Sequence, residues 1–161
     1  FGKMALGLPA FLPATPYGII LLIEYLKLNL SGKKVAVLGR SDIVGTPISI
    51  LLSRKAKYGN ATVTLLHSRS KDIEKELQSA DVIVAAIGIP HYVKADMVKE
   101  GVIIFDVGIN RIEDQSSRTG SRLVGDVDFE AIKDKAEWIT PVPGGIGLMT
   151  IVSLIKNTIY W

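Results

Sequence analysis

Apolar residues fall along this chain in two alternating rhythms. Lys34 to Leu38, Ala61 to Leu66, Asp81 to Ala86 and Val102 to Phe105 are short, nearly continuous aliphatic runs, the pattern of strands buried on both faces. Between them the spacing becomes helical. A helix from about Val44 to Tyr58 turns Ile48, Leu51 and Leu52 inward and ends at Gly59-Asn60; a polar helix covers about Asp72 to Ser79, and a short one lies around Ala95 to Lys99. Ahead of the first strand, Ile19, Leu22, Ile23, Leu26 and Leu30 form an apolar stripe. It follows Thr15-Pro16, where Thr15 is predicted as N-cap and Pro16 as the first helical residue.

The remaining segments are irregular or short. Phe1 to Pro13 is rich in Gly and Pro and reads as a lead-in, which places the boundary between residues 1–14 and a domain over 15–161. Arg111 to Arg122 is polar and Ser-rich and is predicted to be a mobile excursion. Leu123-Val124 is a strand candidate, Asp128 is predicted to cap a helix from Phe129 to Lys135, and Trp138 to Thr140 is a last short strand. The turn Pro141-Val142-Pro143-Gly144-Gly145-Ile146-Gly147 then launches a final helix from Leu148 to Tyr160.

Strands alternating with helices over such short links predict an α/β fold: a three-layer, doubly wound, Rossmann-type parallel sheet with right-handed crossovers. Ligands of such sheets bind beyond the carboxyl ends of the strands. The informative residues are therefore those in the five post-strand loops: Gly39-Arg40-Ser41, His67-Ser68-Arg69, Ala86-Ile87-Gly88, Gly108-Ile109-Asn110 and Pro143-Gly144-Gly145.

Bulk properties narrow the classes. With 161 residues the length is that of one domain. There is no cysteine for a disulfide or a thiolate metal site. The net charge of +3 is small, and no basic run is interleaved with aromatic residues, which argues against nucleic acid as the partner. The longest apolar run, Ile19 to Ile23, stops at Glu24 and is far short of a membrane span, and no signal-peptide pattern opens the sequence. A chain that opens on Phe1 and closes on Tyr160-Trp161 within a helical pattern reads as a piece of a longer protein.

The first post-strand turn has Gly39 and Gly45 with Arg40-Ser41 between them, short of the full G-x-G-x-x-G spacing. The glycines alone serve a tight turn and close helix–sheet packing equally well. Arg40 favours a phosphate ligand, because a guanidinium offers it two parallel hydrogen bonds. At the end of the second strand stand Ser68 and Arg69, with no acid there to accept from ribose hydroxyls. That pairing favours a 2′-phosphate, and so NADP over NAD; a solvated turn is the plainer alternative. His67 reads as a positioned or packed histidine rather than a base, since a strand end beside the adenosine lies far from the nicotinamide. Asp106, Asp126 and Asp128 are candidate acids or bases by residue type only, each with a plainer role as strand-end turn, loop hydrogen-bond acceptor and N-cap. His91 and Lys94 read as surface residues after a Gly-x-Pro turn, and neither histidine has a carboxylate at metal-ligand spacing, so no metal site is expected.

Several motifs agree at once and in order: Thr15-Pro16-x-Gly18, Gly39-Arg40-Ser41-Asp42-Ile43-Val44-Gly45-Thr46-Pro47, Ala61-Thr62-Val63-Thr64 with His67-Ser68-Arg69, Asp106-Val107-Gly108-Ile109-Asn110, Gly125-Asp126-Val127 and Pro141 to Gly147. In these the chain resembles the bifunctional methylenetetrahydrofolate dehydrogenase/methenyltetrahydrofolate cyclohydrolase family. The resemblance implies the NADP-binding domain of a cytoplasmic, homodimeric enzyme of one-carbon metabolism. Such an enzyme oxidises 5,10-methylenetetrahydrofolate with NADP and hydrolyses the methenyl product to 10-formyltetrahydrofolate. It further implies that Gly39, Arg40 and Ser41 hold the cofactor phosphates and that Ser68 and Arg69 approach the 2′-phosphate. By the same resemblance Ile109 and Thr150 lie against the nicotinamide half, and Pro143, Gly144 and Gly145 border the folate cleft. Leu148 departs from the family, which usually has proline there. The family's catalytic tyrosine and lysine belong to an N-terminal domain, and Tyr17, Tyr25, Tyr58, Tyr92 and Tyr160 have no lysine four residues on. No catalytic residue is therefore expected in this chain, and a non-catalytic nucleotide-binding module, or one subunit of a split enzyme, is the alternative reading.

Overall fold

A computed structural model describes residues 1–115, 117 and 120–159. Five strands, β1 (Lys34–Leu38), β2 (Thr62–Leu66), β3 (Val82–Ala85), β4 (Ile103–Asp106) and β7 (Trp138–Ile139), form one parallel sheet in the order β2-β1-β3-β4-β7. Alternate residues of each strand point to opposite faces. Val35, Val37, Val82, Val84, Ile103 and Phe105 enter one core together with helices α2 (Ala14–Tyr25), α3 (Gly45–Ser53) and α6 (Ile146–Ile159). Ala36, Leu38, Ile83, Ala85 and Ile104 enter the other, beneath α4 (Ile73–Ser79), α5 (Phe129–Ile132) and the 3-10 turn Ala95–Met97. The three-layer, doubly wound prediction holds. The chain leaves β1 for β2 through α3 on one face and returns past β1 to β3 through α4 on the other. The order therefore reverses between β1 and β3, where such sheets open a crevice.

Several boundaries differ from the expectation, each for a local reason. The lead-in contains a one-turn helix, α1 (Gly2–Ala5), because Met4 is drawn into the first core. Helix α2 starts at Ala14 with Pro13 as its N-cap. Thr15 is not a cap: its Oγ1 lies 3.0 Å from Oγ1 of Thr150 across the α2–α6 seam. The apolar stripe of α2 stops at Leu26, since Lys27 takes a positive φ of 54°, and Leu30 is buried from the following loop. Helix α3 ends at Ser53, well short of Tyr58, because the returning chain takes its last carbonyls: Ala61 N–H donates to Leu52 O at 3.0 Å and Asn60 N–H to Arg54 O at 2.9 Å. The short helix expected from Ala95 to Lys99 is a single 3-10 turn.

The segment Arg111 to Arg122 is not an open excursion. It forms most of an antiparallel hairpin, β5 (Asn110–Glu113) with β6 (Ser121–Val124), whose alternating polar and apolar residues suit a ribbon with one wet face. Positions 116, 118 and 119 of that segment lie outside the described residues, as does Tyr160 at the expected end of α6. Asp128 sits at the N-cap of the shortened α5 but makes no side-chain cap; its carboxylate meets Lys94 Nζ at 3.3 Å instead. His91 is half-buried at a positive φ of 52°, its Nδ1 without a partner among the described residues, so it is not the surface residue expected.

Helices α2 and α6 approach closely at Gly18, where a Cβ would lie 2.8 Å from the Met149 carbonyl carbon and oxygen. Backbone cannot give way there as a flexible side chain can. Gly18→Ala should therefore lower unfolding stability by about 1–3 kcal/mol, the usual range for overpacking; urea denaturation showing no loss would contradict this packing.

Candidate functional site

The turn after β1 is built by close backbone approach. Gly39 has φ 114°, and a Cβ there would collide with the Ala86 carbonyl oxygen, while one on Gly45 would collide with the Gly39 carbonyl. The plainer role considered for these glycines, a tight turn against the sheet, is thus real. Gly39 N–H also reaches across to Leu66 O at 2.8 Å, which sets the ends of β1 and β2 side by side.

Within this turn Ser41 faces inward. Its Oγ accepts from Val44 N–H at 3.2 Å and Gly45 N–H at 3.4 Å, and its carbonyl accepts from Thr46 N–H at 3.0 Å. The start of α3 is therefore capped by the protein itself. Ahead of it the backbone N–H groups of Ser41, Asp42 and Ile43 make no hydrogen bond within the described residues. Arg40 is exposed and forms no ion pair among them. Three N–H groups beside a guanidinium form a donor set with no acceptor of its own, which is what a phosphate supplies.

Next to it, residues 67–70 close on themselves. His67 N–H donates to Ser70 Oγ at 3.0 Å, Ser70 N–H to His67 O at 2.8 Å, and Arg69 N–H to His67 Nδ1 at 3.1 Å. His67 is the pivot of this turn, with Nδ1 as an acceptor, and Ser68 and Arg69 are left exposed at its tip. No carboxylate belongs to the turn.

Beyond β3 and β4 the geometry depends on two buried acids. Asp106, 3% exposed, is the last residue of β4. Its Oδ1 accepts from Gly108 and Asp126 N–H, both at 3.0 Å, and its Oδ2 from Val127 N–H at 3.0 Å. Asp126 Oδ2 accepts from Ile87 N–H at 2.7 Å and Gly88 N–H at 3.0 Å, and its Oδ1 from Asn110 Nδ2 at 2.9 Å. Both carboxylates thus hold loops, in the roles of strand-end turn and loop acceptor, and neither is aimed at solvent. Burial pushes Asp106 up to about 6, helped by the neighbouring Asp126 charge and opposed by its three N–H donors. Asn110 stands in a post-strand loop that the sequence marks as informative, but nothing in the sequence assigns it a role there.

The remaining expected site residues lie further along the same edge. Ile109 is 63% exposed after β4. A Cβ on Gly147, in the first turn of α6, would be 3.8 Å from Ile109 Cδ1. Thr150, one turn on, is half-buried and committed to the helix seam, donating to Ile146 O at 3.1 Å beside its contact with Thr15. Pro143 follows a cis peptide bond from Val142, and Gly144 and Gly145 border a largely apolar cleft of about 300 Å³ shared with Trp138, Leu148 and Met149. A larger cleft of about 520 Å³ lies between the hairpin and α5, lined by His91, Lys94 and Arg122 among others, and includes none of the residues expected to bind a cofactor.

Comparison with known proteins bears on this edge. A family model described as tetrahydrofolate dehydrogenase/cyclohydrolase, NAD(P)-binding domain, matches residues 13–161. The bifunctional protein FolD of Flavobacterium johnsoniae is 55% identical over 159 residues, covering 99% of this chain and 54% of that protein. FolD of Bacteroides fragilis is 54% identical over 158 residues, with 98% and 54% covered. Among solved structures, the bifunctional FolD dehydrogenase/cyclohydrolase from Campylobacter jejuni superposes with a TM-score of 0.88 at 44% identity, over 99% of this chain and 53% of that one. The FolD of Trypanosoma brucei, complexed with NADP cofactor and inhibitor, gives 0.88 at 38% identity, over 98% and 53%. The chain spans about half the length of the curated relatives it matches. Among the described residues no helix is long and apolar enough to cross a membrane.

The raised Asp106 has a consequence for stability. In the unfolded chain its ordinary value is 3.8, so between about pH 4 and pH 6 the folded state holds a proton that the unfolded state has released. The stability this group contributes is complete below that window and falls as pH rises through it, by up to about 3 kcal/mol. Urea unfolding from pH 4 to 7 should show the unaltered chain losing ground to Asp106→Asn across the window; a difference that stays constant with pH would remove the assignment.

Proposed function

The chain belongs to the tetrahydrofolate dehydrogenase/cyclohydrolase family through its NAD(P)-binding domain, and from this we propose that it holds NADP across the β1–β3 crevice as the oxidant of 5,10-methylenetetrahydrofolate. The observation behind this reading is the pairing of two donor-rich turns at adjacent strand ends, one bearing Arg40 and the other, free of any acid, bearing Ser68 and Arg69. The residues fit the cofactor. Gly39 lets the backbone approach the pyrophosphate, and Arg40 with the N–H groups of Ser41, Asp42 and Ile43 donates to it. Ser41 shapes this turn by capping α3 and keeps its hydroxyl proton available to a phosphate oxygen. Ser68 and Arg69 take the 2′-phosphate. Ile109 and the first turn of α6, with Thr150 at the near end of the α2 seam, lie along the nicotinamide half, and Pro143, Gly144 and Gly145 line the side from which folate enters. Bound NADP supplies a hydride acceptor; the chain's own residues bind and orient it.

In this reading residues 1–14 lead in from an N-terminal folate domain, residues 15–161 are the cofactor domain, and the tyrosine and lysine that act on substrate lie in the former. The intact protein is then a cytoplasmic homodimer that also hydrolyses the methenyl product to 10-formyltetrahydrofolate. The outer face of α6 supports the presence of further chain. Leu148, Ile151, Val152, Ile155 and Ile159 lie along one side of the helix and are all exposed, and the remaining half of the relatives' length is the occupant we assign to that face.

Calorimetric titration of the chain should give NADP at least about tenfold tighter than NAD, the worth of one or more charge-assisted bonds to the 2′-phosphate. Equal affinity would refute the role of Ser68 and Arg69. Arg40→Ala should weaken NADP by about 1.5–3 kcal/mol. The chain alone should not oxidise methylenetetrahydrofolate, and measurable turnover would show that catalytic groups are present in it after all.

A further inference from the structure

Asp126 is wholly buried, yet it lies among the loops where a ligand of this sheet would sit. Its two oxygens collect three donors from two separate post-strand segments: the backbone of Ile87 and Gly88 after β3, and the side chain of Asn110 after β4. A third segment carries the acid itself and is fixed by Asp106, which takes the N–H groups of Asp126 and Val127.

Ile109 is held from both sides by this arrangement. Gly108 before it donates to Asp106 Oδ1 at 3.0 Å, and Asn110 after it donates to Asp126 Oδ1 at 2.9 Å. An isoleucine 63% exposed has little packing of its own to fix it, so its position against the start of α6 leans on these two clamps. The turns bearing Arg40, Ser68 and Arg69 make no hydrogen bond to either clamp, although Gly39 packs against the Ala86 carbonyl that precedes Ile87. Their hydrogen bonds run among residues 39–46 and 66–70 and involve neither buried acid.

We propose that Asp126 is a positioning residue for the nicotinamide half of the bound dinucleotide, acting through Asn110 and the Ile87-Gly88 backbone without touching the cofactor. The proposal rests on the NADP reading of the crevice. It requires the two halves of the ligand to respond differently to the same substitution, which general loss of folding would not produce. Asp126→Asn keeps the volume but must lose an arm: an amide oxygen serves one side, and the amide NH₂ then faces either the Asn110 NH₂ or two backbone N–H groups. Asn110→Ala is milder and removes a single arm.

The test is calorimetric titration of NADP, and of adenosine 2′,5′-bisphosphate as a probe of the adenosine half alone. Both ligands are titrated into the unaltered chain, Asn110→Ala and Asp126→Asn, with thermal unfolding to confirm that each is folded. NADP should weaken by about three- to tenfold in Asn110→Ala, the worth of one hydrogen bond, and further in Asp126→Asn. The bisphosphate should bind all three alike. Equal weakening of both ligands, or no weakening of either, overturns the positioning role. If Asp126→Asn does not fold, Asn110→Ala decides the matter alone. Failure of the unaltered chain to bind either ligand overturns the NADP reading itself and this role with it.

Discussion

A parallel sheet buried on both faces releases its loops at one edge, and the N–H groups of those loops have no neighbouring strand to take them. Here Asp106 and Asp126 supply the acceptors. Between them they receive six hydrogen bonds, five from backbone N–H groups and one from Asn110. Placing two carboxylates out of water side by side opposes folding, and the rise of Asp106 to about 6 registers that cost. What the structure gains is a fixed relation among three segments that would otherwise leave the sheet independently.

The same arrangement decides the charge that the edge presents outward. With Asp106 and Asp126 turned inward and hydrogen-bonded, the groups left at the mouths of β1 and β2 are Arg40, Ser68, Arg69 and unpaired backbone N–H. Asp42 is the one acid in the first turn, and it is exposed, where water screens it. Self-capping of α3 by Ser41 moves the free donors from the helix terminus to the turn ahead of it. What this turn offers an anion is therefore backbone and guanidinium donors more than a helix dipole.

Strand positions were legible because both faces of β1, β3 and β4 are buried, so the apolar runs are unbroken and their limits fall within a residue or so of the structure. The post-strand loops were legible too, since a doubly wound sheet gathers them at one edge whatever the helices do. Helix ends were harder. Nothing in Arg54 to Tyr58 announces that the returning chain will take the carbonyls of Leu52 and Arg54, and propensity alone runs the helix onward. The β5–β6 hairpin was hidden because its residues are polar on the outer face, where alternation is weak. The roles of Thr15 and Asn110 were invisible for a different reason: each depends on a partner far along the chain, Thr150 and Asp126, that no local pattern names.

Helix α6 shows how far local rules can mislead about orientation. A helix of a soluble domain turns its apolar stripe to the core and its polar stripe to water. In α6 the seam against α2 is made by Thr150, Ser153, Asn157 and the backbone at Met149: Ser153 Oγ donates to Ala14 O, Asn157 Nδ2 donates to Leu12 O at 2.9 Å, and Gly18 makes room for Met149. The aliphatic side chains of Leu148, Ile151, Val152, Ile155 and Ile159 point the other way. Rotating the helix to bury them would strand the hydroxyls and the amide away from their acceptors and drive larger side chains against Gly18. Polar bonds and one close backbone contact thus set the rotation, and hydrophobic burial on the outer stripe is deferred. In a chain that spans about half the length of its relatives, that stripe stays exposed, and it lies on the very helix whose first turn borders Ile109. Anything packed on that stripe would therefore act on the helix that also borders the loop after β4.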